Sequence, residues 1–338
     1  MKVRASLIFT LIIIVFSSIA SANSYLLEKD NNENFQISSN QIIYVDDDAS
    51  PGWYDAIHVK TLNEGIKNAS AGDTIFVYNG TYWIDVFINK TVNLKGENKN
   101  TTIIDEKGKI LGLHVTADNV NISNFTIKNT TVAHWECSAI TIKGNRSRVF
   151  NNIITDNRRG MILLNVFGVI VEDNLFLDNH NIHPDYTSYN LELINSYDNI
   201  IRGNIFINKE KCVLADFKLT NSDNNQIINN NLSGSNKDGI LLISSNKNKI
   251  EYNNIDIVSK GYFGIELTKS NLNKIHHNNF INCFIKATAR KSWLNNWRGN
   301  YWERPRILPK IIFVSKGIIG FIPCFNIDFF PAKELNQI

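Results

Sequence analysis

Residue types able to perform chemistry concentrate in the stretch "LDNHNIHPDYTSYNLEL" at 177–193. It carries carboxylates and histidines, which act as general acids and bases, and tyrosines, whose rings can stack on sugar rings. This combination indicates either an active site or a binding site for an extended carbohydrate. The residues concerned are His180, His183, Asp185, Tyr186, Tyr189 and Glu192.

Corresponding positions in the neighbouring segments add Trp135, Glu136, Arg158, Arg159, Glu210, Lys211 and Asp238. If these segments stack, the groups form a row with rings for stacking and charges for sugar carboxylates. We therefore predict that Trp135, Tyr186 and Tyr189 bind carbohydrate. The competing interpretation is that charged residues line the corners of any stacked structure and serve only solubility.

A polysaccharide lyase would need a base that removes a proton beside a uronate carboxylate, often with Ca²⁺ held by aspartates. Arg159 and Lys211 are the available bases. Asp156, Asp173 and Asp178 are the candidate calcium ligands.

A glycoside hydrolase would instead need two carboxylates about 5–9 Å apart. Glu192 and Asp216 are the candidate pair, one repeat apart, and the apolar neighbours Ile194 and Leu214 would raise the pKa of either carboxyl. Across both reactions the catalytic candidates are Arg159, His183, Asp185, Glu192, Lys211 and Asp216.

The sequence does not favour a transition-metal site. Copper prefers cysteine, methionine or clustered histidine, whereas this chain has two methionines and four scattered cysteines. His180 and His183 form a loop pair, which is more often solvent-facing than metal-bound. We predict no metal site and no cofactor, with Ca²⁺ as the one ion that the lyase interpretation would admit.

The elements that must position these residues are revealed by a repeat. The octet "NKIHHNNF" at 273–280 recurs as "NKIEYNNI" at 248, "NQIINNNL" at 225, "NIIRGNIF" at 199, "VIVEDNLF" at 169 and "SRVFNNII" at 147. The second asparagine recurs in steps of 22 to 30 residues, which is the period of one solenoid coil. The histidine pair of the first octet is replaced by unrelated residues in its copies, which argues against a metal role.

Between the octets runs a second pattern, a glycine followed by alternating apolar residues, as in "GMIL" at 160, "GILL" at 239 and "GIEL" at 264. Strands this short are stable only when stacked coil on coil at about 4.8 Å, where they bury a continuous apolar column. The recurrent asparagines are expected to bond turn backbone and to stack their amides between coils.

These repeats resemble the right-handed parallel β-helix superfamily of pectate lyases and, within it, secreted NosD-like repeat proteins. The block beginning "IYVDDDASPGWYDAIHVKTLNEGIKNAS" is similar to that family's entry module, and "GNYW" at 299–302 to the element that closes the last coil. The resemblance implies an all-β right-handed parallel β-helix of about ten coils over residues 42–302. It implies no particular activity, because this fold carries many functions.

Both ends of a solenoid need covers. "HVKTLNEGIKNAS" places apolar residues near helical spacing and predicts a short N-terminal capping helix. "SWLNNWRGNYWERP" supplies three tryptophans and a tyrosine for a C-terminal plug. Residues 303–338 are predicted to pack on the solenoid as a tail.

The N-terminus is typical of a signal peptide, residues 1–22, followed by a linker over 23–41. Lys2 and Arg4 precede an apolar run, and Ala20-Ser21-Ala22 offers a cleavage site. A retained anchor is the alternative, but the run is shorter than the roughly 20 residues that span a bilayer. Losing Lys2 and Arg4 lowers the formal charge from +3 to +1, so the charge gives no reason to expect nucleic-acid binding. No second segment is long and apolar enough to span a membrane, so we predict no membrane span in the mature chain.

Strand alternation also predicts two outward rows with several aliphatics at their centre. An apolar patch of this kind is larger than soluble monomers usually expose. We predict that residues 307–330 of the tail cover it, or else that it forms a contact between subunits. The rows are Thr141, Ile162, Glu192, Leu214, Leu241 and Glu266, and Lys143, Leu164, Ile194, Asp216, Ile243 and Thr268.

The sequence thus favours a secreted or cell-envelope β-helix protein with a surface, structural or carbohydrate-binding role and a polysaccharide or cell-surface glycan as partner. A polysaccharide lyase or glycoside hydrolase that acts on an extended acidic glycan is the alternative. The sequence leaves the oligomeric state open.

Overall fold

A computed structural model describes residues 40–83, 86–107, 112–130, 137–180, 188–208, 214–234, 238–257, 263–312 and 326–338. The predicted signal peptide and all but two residues of the predicted linker lie outside this part. None of the described helices is long and apolar enough to cross a membrane.

The described chain is almost entirely β-structure, with one α-helix, α1 (Leu62–Asn68), and one 3₁₀ turn (Pro51–Trp53). The strands are β1 (Ile42–Val45), β2 (His58–Val59), β3 (Thr74–Val77), β4 (Gly80–Tyr82), β5 (Val86–Ile88), β6 (Asn93–Gly96), β7 (Thr102–Asp105), β8 (Leu113–Val115), β9 (Asn121–Ser123), β10 (Thr126–Lys128), β11 (Ile140–Ile142), β12 (Arg148–Phe150), β13 (Ile153–Thr155), β14 (Met161–Leu164), β15 (Ile170–Glu172), β16 (Leu175–Leu177), β17 (Tyr189–Ile194), β18 (Ile200–Arg202), β19 (Ile205–Asn208), β20 (Ala215–Thr220), β21 (Gln226–Ile228), β22 (Asn231–Gly234), β23 (Asp238–Ile243), β24 (Lys249–Glu251), β25 (Asn254–Ile257), β26 (Phe263–Thr268), β27 (Lys274–His276), β28 (Asn279–Ile281), β29 (Ile285–Arg290), β30 (Asn296–Arg298), β31 (Tyr301–Trp302), β32 (Lys310–Ile311) and β33 (Ile327–Asp328).

From β3 onward each coil contributes one strand to each of three sheets, so the coils stack as a right-handed parallel solenoid. Sheet A has fourteen strands, sheet B ten and sheet C nine. The predicted fold is confirmed, but the number of complete three-stranded coils is nine, slightly below the predicted ten. The octets supply sheets A and B, and the glycine-led segments supply sheet C.

A single apolar column fills the interior. The middle residue of each sheet A strand points inward, as Val149, Ile201, Ile250 and Ile275 do, and each is fully buried. Rings stack along the same axis where sheet B contributes phenylalanine, and the centroids of Phe176 and Phe206 lie 4.6 Å apart. Because neighbouring coils stand in register, each apolar side chain packs on its equivalent above and below.

Buried asparagine ladders fasten each coil to the next. The side-chain Oδ1 of Asn278 accepts hydrogen bonds from both the backbone N–H and the Nδ2 of Asn253, at 3.0 and 2.9 Å. The Nδ2 of Asn253 also donates to the carbonyl of Ile227 in the preceding coil, at 2.8 Å. The same pattern, which confirms the predicted amide stacking, runs through Asn152, Asn174, Asn204, Asn230, Asn253, Asn278 and Asn300.

The residue before each ladder asparagine adopts a left-handed backbone conformation, with φ between 54° and 66°. This conformation favours glycine, asparagine and aspartate, which explains five of the seven residues found there. The exceptions are Tyr252 and His277, whose rings stack at 5.0 Å. The position is therefore more constrained than its varied sequence indicates. Its occupants are Asn151, Asp173, Gly203, Asn229, Tyr252, His277 and Gly299.

The predicted capping helix is present as α1 at the N-terminal end. Thr61 and Glu64 form a capping box that satisfies backbone donors at the start of the helix. At its other end the Nζ of Lys90 donates to the carbonyls of Ile66, Lys67 and Ala69 at 2.8–3.1 Å. Leu62 and Ile66 face the core.

At the C-terminal end, Trp297 and Trp302 are buried and Trp302 stacks on Phe280 at 4.5 Å. Asp328 takes the place of the next ladder asparagine, because its Oδ2 accepts hydrogen bonds from the backbone N–H and Nδ2 of Asn300 and from the Nε1 of Trp302. The ladder therefore ends on a residue of the tail.

The described tail thus extends sheet A, where β33 pairs with β30 and with the antiparallel β32. The predicted cover over the outward rows of sheet C would have to come from residues 313–325, which lie outside the described part.

Replacing Asn253 by alanine is expected to lower the free energy of unfolding by about 3 kcal/mol, because it leaves the buried backbone N–H of Asn230 without its acceptor. Urea denaturation measures this change. Asn231→Ala is the control, since Asn231 is exposed on the adjacent strand and should change stability by less than about 0.5 kcal/mol. Equal losses in the two variants would contradict a special role for the ladder.

Candidate functional site

Four of the predicted catalytic and carbohydrate-binding residues fall in the described part: Arg159, Tyr189, Glu192 and Asp216. Arg159 precedes β14, Tyr189 and Glu192 lie on β17, and Asp216 lies on β20. The others, Trp135, His183, Asp185, Tyr186 and Lys211, lie outside the described residues.

The outer face of sheet C brings three of the four together and adds a residue that the sequence analysis missed. The strand register places Thr141, Ile162, Glu192, Lys218 and Leu241 in one row. Lys218 therefore occupies the position predicted for Leu214. The repeat misled here because the sheet C strand after Cys212 begins at Ala215, where no glycine marks the corner.

Glu192 is the centre of a buried ion-pair network. Its carboxylate lies 3.3 Å from Nη1 of Arg159 and 2.9 Å from Nζ of Lys218, and its side chain is only 4% exposed. Both cations also lie over the ring of Tyr189. Burial disfavours the charged form of Lys218, but Glu192 and Tyr189 outweigh it and hold the Lys218 pKa above its usual value.

Asp216 does not face Glu192, contrary to the predicted outward pair. It is fully buried, and its Oδ1 accepts hydrogen bonds from the amides of Asn190 and Asn208 at 2.6 and 3.3 Å. It therefore continues an asparagine ladder at the corner between sheets B and C. The predicted row placed Asp216 beside Ile194, but the strand register pairs Ile194 with Thr220, and Asp216 is directed toward the interior.

The predicted calcium ligands also fail to converge. Asp156 and Asp178 lie at the corner after sheet B, whereas Asp173 lies at the corner between sheets A and B, and all three have positive φ. Their recurrence reflects the left-handed backbone of the corners. Among the described residues, Asp46, Asp47 and Asp48 form the one group of three side chains close enough to share an ion.

The predicted row on sheet C is thus a buried network in its described part and not an open groove. Thr141, Ile162 and Glu192 are each at most 3% exposed. Glu192 is held between two cations and Asp216 is bonded to ladder asparagines, so the predicted pair of facing carboxylates is not formed.

Sheet A instead presents an open face that carries six cations in two parallel outward rows. Arg148, Lys249 and Lys274 lie in one row, where Lys249 and Lys274 are adjacent, and the other three cations lie in the second row. Six cations and two carboxylates, Glu172 and Glu251, give this surface a net charge of +4, compared with +3 for the whole chain. We call it the basic face; its cations are Lys95, Arg148, Arg202, Lys249, Lys274 and Arg298.

Glu172 organises the centre of the basic face. Arg148 from the preceding coil and Arg202 from the following coil each pair with one of its carboxylate oxygens, Arg202 through both Nε and Nη2 at 2.6 Å. Burial alone would raise the pKa of Glu172, but hydrogen bonds from Arg202 and Arg148 outweigh it and hold the pKa below the ordinary value. Both guanidinium groups remain about half exposed.

Aromatic rings continue the basic face toward the N-terminus. His58, Tyr44 and Phe76 stand in register with Lys95 on successive strands. Tyr44 stacks on His58 at 5.3 Å, and Trp53 lies 4.6 Å from His58. These rings are partly exposed and form a surface that we call the aromatic end.

A polar cleft of about 370 Å³ adjoins the aromatic end. It is lined by His58, Asp55, Lys60, Glu64 and Lys67, among others. His58 Nδ1 lies 2.9 Å from Asp55 Oδ1, and the hydrogen bond from His58 lowers the pKa of that carboxyl. The cleft thus contains hydrogen-bond donors from the imidazole ring of His58 and from the ammonium groups of Lys60 and Lys67.

The sequence contains a signal for the basic face in the outward positions of the octets. The second and fourth residues of the octets point outward, and in four of the octets they include Arg148, Arg202, Lys249 or Lys274. The chemically reactive residue types indicate sheet C, whereas the alternation of inward and outward residues in the octets predicts the exposed cations of sheet A.

The fold and its outward rows define a right-handed parallel β-helix protein. The chain belongs to the NosD family, described as periplasmic copper-binding proteins, whose model matches residues 66–306. A comparison with curated proteins finds no match.

Similar solved structures include the following three. They are Geobacillus virus E2 ORF18 (12% identity, TM-score 0.46, 81% of this chain and 61% of that chain), XylC in complex with xylose (10%, 0.52, 76% and 70%) and pectate lyase Pel9A (12%, 0.44, 83% and 78%). The chain therefore spans about three-fifths of the Geobacillus virus protein. Likeness at these identities concerns the fold alone.

The described residues do not fit a copper ion. Copper favours sulfur and imidazole ligands, but Cys137 and Cys283 are buried separately, and Met161 lies in the core. His276 and His277 lie near each other, with ring centroids 6.2 Å apart, yet they form no cluster of three potential ligands. The one acidic triplet offers only oxygen atoms. No chemical step is assigned to copper in this chain.

Replacing Glu192 by glutamine is expected to lower the free energy of unfolding by about 3 kcal/mol, because the buried cations Arg159 and Lys218 lose their counter-charge. Glu266→Gln is the matched control in the same row, since its partner Arg290 is half exposed and 3.9 Å away, and should cost less than about 1 kcal/mol. Chemical denaturation distinguishes the two. A stable Glu192→Gln variant would contradict the structural role.

Glu172 should contribute to acid sensitivity. Its lowered pKa means that its stabilising contribution is complete above the ordinary glutamate pKa, about 4.3, and is lost as the pH falls through the lower value of the folded state. Glu172→Gln should therefore flatten the fall of stability below about pH 4.3. Thermal denaturation of both proteins across this range measures it, and an unchanged slope would contradict the assignment.

Proposed function

We propose that this protein is a non-catalytic cell-envelope protein that binds an extended acidic glycan along the basic face and the aromatic end. The observation that carries the proposal is the presence of six cations in two neighbouring outward rows of sheet A, among which Lys249 and Lys274 stand in register on adjacent coils. A glycan with a carboxylate on successive sugars presents negative charges along an extended chain, which cations distributed along a straight face complement.

Three further features support a glycan as the ligand. The exposed guanidinium groups of Arg148 and Arg202 retain donors for a sugar carboxylate while they pair with Glu172. Asn93, Asn121 and Asn296 lie in the same outward rows and offer amides to hydroxyl groups. The rings of the aromatic end suit the apolar faces of sugars.

A binding role is favoured over catalysis because the described acid and base candidates are already engaged. Glu192 neutralises Arg159 and Lys218, and Asp216 caps an asparagine ladder. A lyase or hydrolase acting through these residues would have to break buried ion pairs and hydrogen bonds. The family's periplasmic description supports a location in the cell envelope, and the sugar-bound neighbour XylC shares the fold.

The test is the affinity for polygalacturonate, measured by calorimetry at low salt. Lys249→Gln/Lys274→Gln, which removes adjacent cations of one row, should weaken binding about tenfold, at roughly 0.7 kcal/mol for each exposed charge. Raising the salt concentration should weaken the wild-type protein similarly.

Lys247→Gln/Lys269→Gln is the matched control, since it removes the same charge from exposed lysines at another corner. It should retain wild-type affinity. Equal weakening by both double variants would indicate a nonspecific charge effect. Shortening of the polymer during incubation, abolished by Arg159→Ala or Glu192→Gln in a folded protein, would overturn the non-catalytic assignment.

A further inference from the structure

Large aliphatic and aromatic side chains are exposed at the C-terminal end of the solenoid. Ile307, Leu308 and Ile311 are 86%, 74% and 70% exposed, and Phe329 and Phe330 are 59% and 69% exposed. The antiparallel pairing of Ile311 with Ile327 joins the two chain segments that carry them. Such a concentration of exposed apolar side chains is unusual for a surface in contact with water alone.

Cations alternate with these apolar residues. The segment "RPRILPKI" at 304–311 contains Arg304, Arg306 and Lys310, and its nearest carboxylate in sequence, Glu303, is paired with Lys286 at 2.6 Å. Burial and the neighbouring charges of Arg306 and Lys286 hold the pKa of Lys310 below its usual value. An approaching anion would relieve this repulsion.

We propose that this C-terminal end docks on the surface of an anionic lipid bilayer. Ile307, Leu308 and Ile311 enter the boundary between headgroups and acyl chains, and Arg304, Arg306 and Lys310 contact lipid phosphates. Apolar side chains interspersed with cations are the physical requirement for interfacial binding.

The chemistry of the surface favours lipid over the other ligands of an envelope protein. A glycan gains little from three aliphatic side chains that are 70–86% exposed, and none of the large exposed aliphatic side chains of the described part lies among the cations of the basic face. A protein partner would also bury apolar groups, so it is an outcome of the test. The inference stands independently of glycan binding, because the two surfaces share none of the three cations named here.

The experiment attaches an environment-sensitive fluorophore to the full chain at Leu308→Cys. Cys212 and Cys324 are replaced by serine, and the other two native cysteines, Cys137 and Cys283, are buried. Vesicles of phosphatidylglycerol and phosphatidylcholine should shift the emission to the blue, and pure phosphatidylcholine vesicles should produce a much smaller shift. The local probe separates docking of this end from any membrane contact of residues 1–22.

The matched control carries the fluorophore at Leu272→Cys, an exposed leucine at another corner, where no shift is expected. Arg304→Gln/Arg306→Gln/Lys310→Gln should lose the anionic dependence at position 308. An absent shift at 308, an equal shift at 272, or concentration-dependent dimerisation that shifts 308 without vesicles would overturn the proposal. Polygalacturonate affinity measured on the same triple variant should remain, which separates this result from the proposed glycan function.

Discussion

The hydrogen bond from one ladder asparagine to the next is the interaction on which the structure depends. A coil of strands only three to six residues long cannot hold its own conformation. Each ladder asparagine satisfies the turn backbone of its coil and that of its neighbour, and it does so where water is excluded. An unmet donor at that position would be costly, so the ladder permits one register only.

A fixed register has consequences for every outward residue. Because coils cannot slip, side chains at equivalent positions stand in straight rows, and any chemical property repeated in the sequence becomes a line on the surface. The two outward rows of sheet A carry exposed cations, and this face is open. The corresponding row of sheet C carries aliphatics and Glu192, which is held between two cations, and the row is buried around Glu192. The same scaffold thus yields a binding surface on one side and a stabilising network on another.

The fold was predictable from the octets, because the spacing of asparagine and isoleucine expresses the corner geometry and the inward alternation directly. The helix and the tryptophan plug followed from local patterns in the same way. The failures came from places where the repeat is imperfect. The sheet C strand after Cys212 lacks its corner glycine, which shifted Lys218 and Asp216 from their assigned positions. The aspartates at corners resembled calcium ligands, but the left-handed backbone accounts for them. Which charges pair depends on cross-coil distances, and these are not contained in a one-dimensional pattern.

The basic face, the aromatic end and the exposed aliphatic residues of the tail lie at different places along the molecule, which indicates separate binding roles. The aromatic end and the basic face occupy the length of sheet A, whereas the exposed aliphatic residues gather where the tail closes the last coil. The central claim concerns the basic face, and its most direct test is a crystal structure of the protein with an oligogalacturonate. The account predicts intact sugars along sheet A, with carboxylates at Lys249, Lys274 or Arg202. Sugars bound against Arg159 and Glu192 on sheet C, or a cleaved product there, would contradict it.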